Sequence, residues 1–385
     1  MRLDMKKLLM FLLFFPAFLS AESMYSPTWG FFLDIPEGYE YIDGDGRDYF
    51  SFAGPSGTMF DMVVYDGIYP SIRELVSDIN RRIGNSGDVD FYRYRDRQAA
   101  IVKLTFENYN GLVLDRYDGW GFCVELGDGS EVNPPLLLAL AYGPADKKEL
   151  ELFHVSALDS IAPSLEERRY PGPIIEYSYP RGEAKSAVLA VGGINAMIYE
   201  NDAEAAQVLI EREFLILQNY INSPYLQDAW IRYYRFIYRD SYDRVTSAVS
   251  ALVRNFGGYP ADSDEAKRAF AQKALEFVQG FQYERDLNGS DFLNLVSAIT
   301  EGRGDCDSRA VLWAIVLSHA DIRSAFMVSH YYSHAMGLAE IAGTGARFDS
   351  GGTRWLVAET TANVNIGLIS QDVSDPQYWF AVIFE

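Results

Sequence analysis

The sequence predicts an α+β protein of two domains, and three observations support this. In the first 163 residues, short segments of alternating apolar and polar residues are separated by Gly-rich turns, as in antiparallel strands. Over residues 202–281, apolar residues recur at helical spacing. Beyond residue 324 the period returns to that of strands. Strands and helices segregated along the chain indicate α+β architecture.

Residues 1–21 are predicted to be an export signal. A basic start precedes an apolar run from Leu8 to Leu19, and the small residues Ser20 and Ala21 offer a cleavage point. The run is shorter than the roughly 20 apolar residues that span a bilayer. We therefore expect an exported protein, periplasmic or secreted, that is not inserted in the membrane after cleavage. An uncleaved anchor is the alternative.

Residues 25–163 are predicted to form an antiparallel sheet packed against two helices. The helix over 71–83 has the clearest signal, because Ser71 is a good N-cap and Glu74 completes a capping box. The second helix is expected over 147–161. Strands are expected at 29–33, 49–53, 58–65, 90–94, 98–107, 112–117, 121–126 and 135–142.

The opening of this domain resembles the PsbP/MOG1-like α/β fold in the stretch Gly30-Phe31-Phe32-Leu33-Asp34-Ile35-Pro36-Glu37-Gly38-Tyr39 and in the order of elements. Domains of that kind are generally binding or assembly modules. The resemblance therefore implies no chemistry in this half of the chain.

Residues 164–186 are rich in proline and charge and lack a period, which predicts a linker. The second domain, 187–385, is expected to begin with a hairpin at 187–191 and 194–199. Helices are predicted at 202–222, 224–239, 242–256, 263–281 and 306–320, and strands at 324–330, 334–341, 354–359 and 378–384.

The composition limits the classes of partner. A net charge of −21 repels nucleic acid and anionic lipid, so neither is expected as a ligand. Asp43, Asp45 and Asp48 do not follow calcium-loop spacing and predict a hairpin turn instead. We expect no cofactor and no metal, and the sequence leaves the oligomeric state open.

Cys306 is the strongest candidate for chemistry. It follows the turn Gly302-Arg303-Gly304-Asp305 and begins an apolar helical segment, with Asp305 in the capping position. A thiol at a helix N-terminus faces the positive end of the helix dipole, which predicts a lowered pKa. The first-turn N–H groups could also hold an oxyanion.

A thiol nucleophile needs an imidazole as proton acceptor and a third group that orients the imidazole. His334 and Glu359 lie on predicted neighbouring strands, which could place them side by side opposite the Cys306 helix. His330 has the same strand parity as His334 and competes for the role of base. Gln279 and Gln282 are possible oxyanion donors.

Four sequence blocks within residues 260–370 resemble the transglutaminase-like cysteine hydrolase superfamily, and their order and spacing match those of the superfamily. They are Phe277 to Asp286, Glu301 to Ala310, Ser333-His334-Ala335, and Trp355 to Thr361. The resemblance implies a papain-like core and a catalytic triad of Cys306, His334 and Glu359. Glu359 stands where aspartate is usual in that family.

These observations predict an exported cysteine peptidase or amidase that forms an acyl-thioester on a protein or peptide substrate, with transglutamination also possible. The alternative is a catalytically inactive envelope protein for binding or assembly. The second cysteine, Cys123, is expected to be a buried core residue. A disulfide between Cys123 and Cys306 is the competing interpretation, since an oxidising compartment permits it.

Overall fold

The computed structural model describes residues 23–110, 113–127, 133–285 and 289–384, and the predicted signal at 1–21 lies outside them. The fold is α+β, as predicted. In the described residues the helices are α1 Ile72–Ile83, α2 Glu151–Asp159, α3 Pro173–Ser178, α4 Asp202–Gln218, α5 Leu226–Asn255, α6 Asp264–Gln279, α7 Leu295–Glu301 and α8 Cys306–Ser318.

The strands of the first half are β1 Met24–Tyr25, β2 Phe32–Leu33, β3 Glu40–Gly44, β4 Tyr49–Ala53, β5 Met59–Tyr65, β6 Val89–Tyr94, β7 Arg97–Asn110, β8 Val113–Glu125 and β9 Leu136–Pro144. Those of the second half are β10 Ala184–Leu189, β11 Ile194–Tyr199, β12 Gln282–Tyr283, β13 Arg303–Gly304, β14 Ser324–Ser329, β15 His334–Ala339, β16 Arg347–Ser350, β17 Thr353–Ala358 and β18 Phe380–Ile383.

The N-terminal sheet is antiparallel, in the order β3-β4-β5-β9-β8-β7-β6. Helix α1 covers one face and α2 contacts β8 and β9. The predicted N-cap of α1 is confirmed, because the Ser71 hydroxyl accepts from the Glu74 N–H. Gly84 ends the helix in the left-handed conformation. The strand β3 was not predicted.

Strand β8 corrects the prediction of two separate strands at 112–117 and 121–126. The strand runs without interruption through the residues between them. A Cβ on Gly119 would lie 2.1 Å from the Ala141 carbonyl oxygen of β9. Gly119 therefore permits a close approach of two strands and does not form a turn.

Helix α5 corrects a second prediction, because one helix of 30 residues replaces the two predicted helices. The two predicted helices, 224–239 and 242–256, leave out Asp240 and Ser241, whose residue types favour helix ends. In the structure Asp240 is buried and accepts from Arg244 at 2.9 Å, one turn further along the same helix. That ion pair satisfies the carboxylate inside the helix, so the helix continues.

The predicted linker at 164–186 is ordered and includes α3. Pro171 to Ile175 are buried, and Ile174 joins the core of the N-terminal sheet. The N–H groups of Ile174 and Ile175 donate to Asp159 at the end of α2. This segment is therefore packed against the domain that precedes it.

The second half places helices against the sheet β16-β17-β15-β14-β18. Helix α8 packs on β14 and β15 and against α5, α6 and α7. From Ala310 to Leu317 every residue of this helix is apolar and buried, including Trp313, because neighbouring elements surround this part of it. The helix α7 and the strand β16 were not predicted.

Candidate active site

Cys306 begins α8, as predicted. The Asp305 carboxylate accepts from the Ser308 N–H at 2.8 Å and from its hydroxyl at 2.6 Å, which confirms Asp305 as the N-cap. Gly302 and Gly304 both have positive φ, at 65° and 154°, which glycine tolerates best. This turn sets the Cys306 side chain at the first position of the helix, next to first-turn N–H groups.

His334 begins β15, and Glu359 follows directly after the neighbouring strand β17. The His334 Nε2 lies 2.8 Å from Glu359 Oε2. The structure therefore brings together the predicted histidine and carboxylate. With Nε2 engaged by Glu359, Nδ1 is the ring nitrogen left for a reacting group.

Glu359 is itself held in place. Its Oε1 accepts from the Thr361 N–H at 2.8 Å and from the Thr361 hydroxyl at 2.6 Å. Burial opposes ionisation of Glu359, but the His334 hydrogen bond and charge, together with the Thr361 donors, lower its pKa overall. The carboxylate is thus ionised at neutral pH and can stabilise an imidazolium.

Cys306 and His334 line the same cavity, which has a volume of about 230 Å³. The backbone N–H of Ala335, the residue after His334, is directed to the Cys306 thiol. The structure thus gathers all three predicted site residues at one end of α8. Further lining residues are Phe214, Trp230, Tyr233, Tyr234, Arg285, Ser290, Asp291, Phe292, Asp305, Asp307, Val328, Ser329, His330 and Ser333.

The pKa of Cys306 contradicts the prediction. Burial raises it, and the charges of Asp307 and Asp305 raise it further. The thiol is only 5 % exposed and lies 3.3 Å from Asp307 Oδ1, to which the S–H donates. Desolvation and the neighbouring carboxyl groups therefore oppose the effect of the helix dipole and disfavour the thiolate.

Asp305, Cys306 and Asp307 offer one ligand atom each within 4.8 Å of one another. Burial and the neighbouring Asp307 raise the pKa of Asp305 to about 8, and burial also raises the pKa of Asp307. A divalent cation could be held by these atoms. It would occupy the same sulfur that a nucleophilic reaction needs.

The other predicted participants have different environments. His330 lines the cavity, but its ring packs against Trp230 with centroids 4.8 Å apart. Gln279 does not serve as an oxyanion donor, because its Nε2 donates to the carbonyls of Glu359 and Val364, both at 2.9 Å. It fixes the loop after β17. Gln282 lies exposed in β12.

Cys123 and Cys306 are both free, so the disulfide interpretation is wrong. Cys123 is fully buried in β8 within the core beneath α1, as predicted.

Sequence reasoning missed Asp307 and Tyr234. The Tyr234 hydroxyl donates to Asp307 Oδ2, and the Tyr234 ring lines the cavity. Asp307 could have been noted from its position beside Cys306. Tyr234 comes from α5, more than seventy residues earlier in the chain, and gives no local signal.

We expect replacement of Glu359 by glutamine to reduce any Cys306-dependent turnover by about 10²- to 10⁴-fold, by analogy with other orienting carboxylates. Glutamine retains the shape but cannot stabilise an imidazolium by charge. The measurement is kcat/KM beside a Thr361→Ser control, which keeps both donors to Glu359. Unchanged kcat/KM in Glu359→Gln would remove Glu359 from the site.

The fold is α+β, and one cavity is lined by Cys306 and by His334, which is hydrogen-bonded to Glu359. No protein-family model matches the sequence, and no curated protein matches it. Among solved structures it is similar to LpqN, involved in cell envelope biogenesis of Mycobacterium tuberculosis, with a TM-score of 0.27 and 12 % identity, over 37 % of this chain and 90 % of that one. It is also similar to a candidate protease from Parabacteroides distasonis, with a TM-score of 0.21 and 8 % identity, over 83 % of this chain and 68 % of that one. At these scores neither likeness identifies a family or a function.

None of the described helices is both long and apolar enough to cross a membrane. The longest, α5, carries several arginines and aspartates among its 30 residues.

Proposed function

We propose that the protein is a cysteine-dependent peptidase or amidase of the transglutaminase-like kind, and that it acts after export. The observation that carries this proposal is the 2.8 Å contact between His334 Nε2 and Glu359 Oε2, made by a histidine that lines the same cavity as Cys306. A thiol, an imidazole and an orienting carboxylate are the three groups that covalent acyl transfer requires.

In the proposed reaction, His334 takes the proton from Cys306 as the sulfur attacks the carbonyl carbon of an amide. The Cys306 N–H at the start of α8 stabilises the oxyanion. The carbon–nitrogen bond then breaks, and the imidazolium returns the proton to the leaving amine. Water, deprotonated by His334, attacks the thioester, which releases a carboxylic acid and restores the thiol. An amine in place of water would give transglutamination.

The raised pKa of Cys306 bears on the step at which the thiol loses its proton. A thiol that is neutral at rest is deprotonated during attack, as a serine hydroxyl is, and does not form a stable thiolate–imidazolium pair beforehand. Glu359 supports that step, because the lowered pKa of its carboxyl group keeps a negative charge beside the imidazolium that forms.

We expect iodoacetamide to alkylate Cys306 at pH 7 more slowly than it alkylates N-acetylcysteine amide. The rate should rise about tenfold per pH unit to well above the ordinary thiol pKa, because burial and the two aspartates raise the pKa and only the thiolate reacts. Asp307→Asn should increase the rate by removing one negative charge. Mass spectrometry of the modified peptide provides the measurement. A rate plateau below pH 6 would contradict this form of the mechanism and indicate a preformed ion pair.

The second candidate is a non-catalytic binding or assembly protein. It is favoured by the burial of Cys306 and by the raised pKa of its thiol. The two candidates differ in turnover. A pool of random-sequence pentapeptide amides, incubated with wild-type protein and with Cys306→Ala, gives Cys306-dependent products only if the protein is a hydrolase. Products that are identical for the two proteins support the binding role.

A further inference from the structure

Asp307 is a partly buried residue whose carboxyl group has polar but uncharged hydrogen-bond donors. In the described part of the chain, those donors are the Cys306 thiol at Oδ1 and the Tyr234 hydroxyl at Oδ2. A carboxyl group withdrawn from water is ordinarily matched by a cation, and this one instead borders the cavity beside the nucleophile.

Arg285, an arginine that lines the cavity, is already paired. It donates from Nε to Asp291 Oδ2 at 3.1 Å. Asp305 and Asp307 are the acidic groups that border Cys306. A positively charged group that entered the cavity would be attracted to the Asp307 carboxyl group.

The cavity has an aromatic wall. Trp230 and Tyr234 from α5 stack with centroids 5.5 Å apart and planes 25° apart, and Tyr233 meets Tyr234 edge-on at 5.0 Å. Aromatic faces beside a carboxylate are typical of sites that bind an ammonium group, because the negative ring faces add to the carboxylate's attraction.

The distances relate this acidic group to the reacting atom. Asp307 Oδ1 lies 3.3 Å from the Cys306 sulfur. In an N-terminal amino acid residue the α-nitrogen is two bonds, or about 2.5 Å, from the carbonyl carbon. One residue can therefore place its carbonyl at the sulfur and its ammonium at Asp307. The volume of about 230 Å³ is below the range of about 300–1,000 Å³ for drug-sized ligands and suits a single residue.

We propose that the cavity binds the free α-ammonium of the acyl-donor residue, so that the enzyme cleaves the first peptide bond of a substrate with an unblocked N-terminus. This rests on the proposed function of the same site. The carbon–sulfur bond forms to the first residue and the bond to the second nitrogen breaks, with the thiol proton passing through His334 to that nitrogen. Water then releases the free amino acid.

The test uses two pools of random-sequence pentapeptide amides that differ only in N-terminal acetylation. We expect wild-type protein to release the first residue of the free pool with kcat/KM at least about 10-fold higher than for any cleavage of the acetylated pool, the effect of one charged hydrogen bond. Asp307→Asn should bring this ratio toward one. Asp349→Asn is the matched control, because the Asp349 side chain is 79 % exposed. This variant should keep the wild-type ratio.

The ratio of kcat/KM for the free pool to kcat/KM for the acetylated pool does not depend on how much Asp307→Asn lowers the absolute rate. If that variant does not fold, the ratio measured for wild-type protein still tests the inference. Equal cleavage of both pools overturns the inference and leaves the proposed function intact. Cleavage of the acetylated pool only after lysine also overturns the inference and leaves the proposed function intact, because the cavity would then bind a side-chain ammonium group. Absence of Cys306-dependent products from either pool overturns the proposed function itself.

Discussion

Replacement of Cys306 by alanine is expected to lower turnover of peptide amides by about 10³-fold or more, since the nucleophile of a covalent mechanism has no substitute. Alanine keeps the helix start intact, because the N-cap contact is made by Asp305 to Ser308. The far-ultraviolet spectrum and the unfolding midpoint should therefore change little. Mass spectrometry should detect an acyl adduct on the wild-type protein and none on the variant.

The chain offers its own control in the second cysteine. Cys123→Ala removes a fully buried thiol from the N-terminal core and should reduce stability somewhat while leaving turnover unchanged. Each protein is assayed with and without EDTA, since Asp305, Cys306 and Asp307 could hold a cation. Activity retained by Cys306→Ala would disprove the mechanism. Loss of wild-type activity in EDTA would indicate a metal-dependent reaction instead.

Replacement of Glu213 by glutamine is expected to reduce the free energy of unfolding by about 3–5 kcal/mol, the usual effect of breaking a buried ion pair. Glu213 is 1 % exposed and accepts from Arg232 and Arg212, each at 2.8 Å, and from Ser156 at 2.9 Å. Burial opposes its ionisation, but the two arginine charges lower its pKa overall. Neutral glutamine would leave both guanidinium groups without this counter-charge.

Urea denaturation provides the measurement, and Glu107→Gln is the matched control. Glu107 pairs with Arg116 on the surface, with side chains 51 % and 72 % exposed. Its loss should change stability by about 1 kcal/mol or less. An equal small effect in both variants would mean that the buried network does not stabilise the fold.

The Glu213 network also connects the two halves of the chain. Arg232, Arg235 and Arg239 form one face of α5. Arg235 binds Asp34 at 2.7 and 3.0 Å, and Arg239 donates to the carbonyls of residues 159, 160 and 161 at 2.7 to 2.8 Å. Trp230 and Tyr234 of the same helix line the cavity. The N-terminal half therefore helps to position the aromatic wall of the candidate site.

Where the signal was local, the sequence predicted the structure correctly. Helix α1 and its Ser71 cap, the Asp305 cap of α8 and the buried Cys123 follow from residue type and spacing over a few positions. The errors arose where a distant partner overrides a local preference. The predicted strands 112–117 and 121–126 leave out Gly119, which β9 approaches closely. The predicted helices 224–239 and 242–256 leave out Asp240, which is paired with Arg244 within one helix.

The sequence by itself determined the α+β class and singled out the three residues proposed for the site, because strand period, helix caps and the block around Cys306 are properties of neighbouring residues. Only the tertiary structure decided the surroundings of the thiol and the character of the cavity. Burial, the contact with Asp307 and the aromatic wall from α5 depend on segments far apart in the chain, and desolvation is a property of the packed molecule rather than of any local stretch.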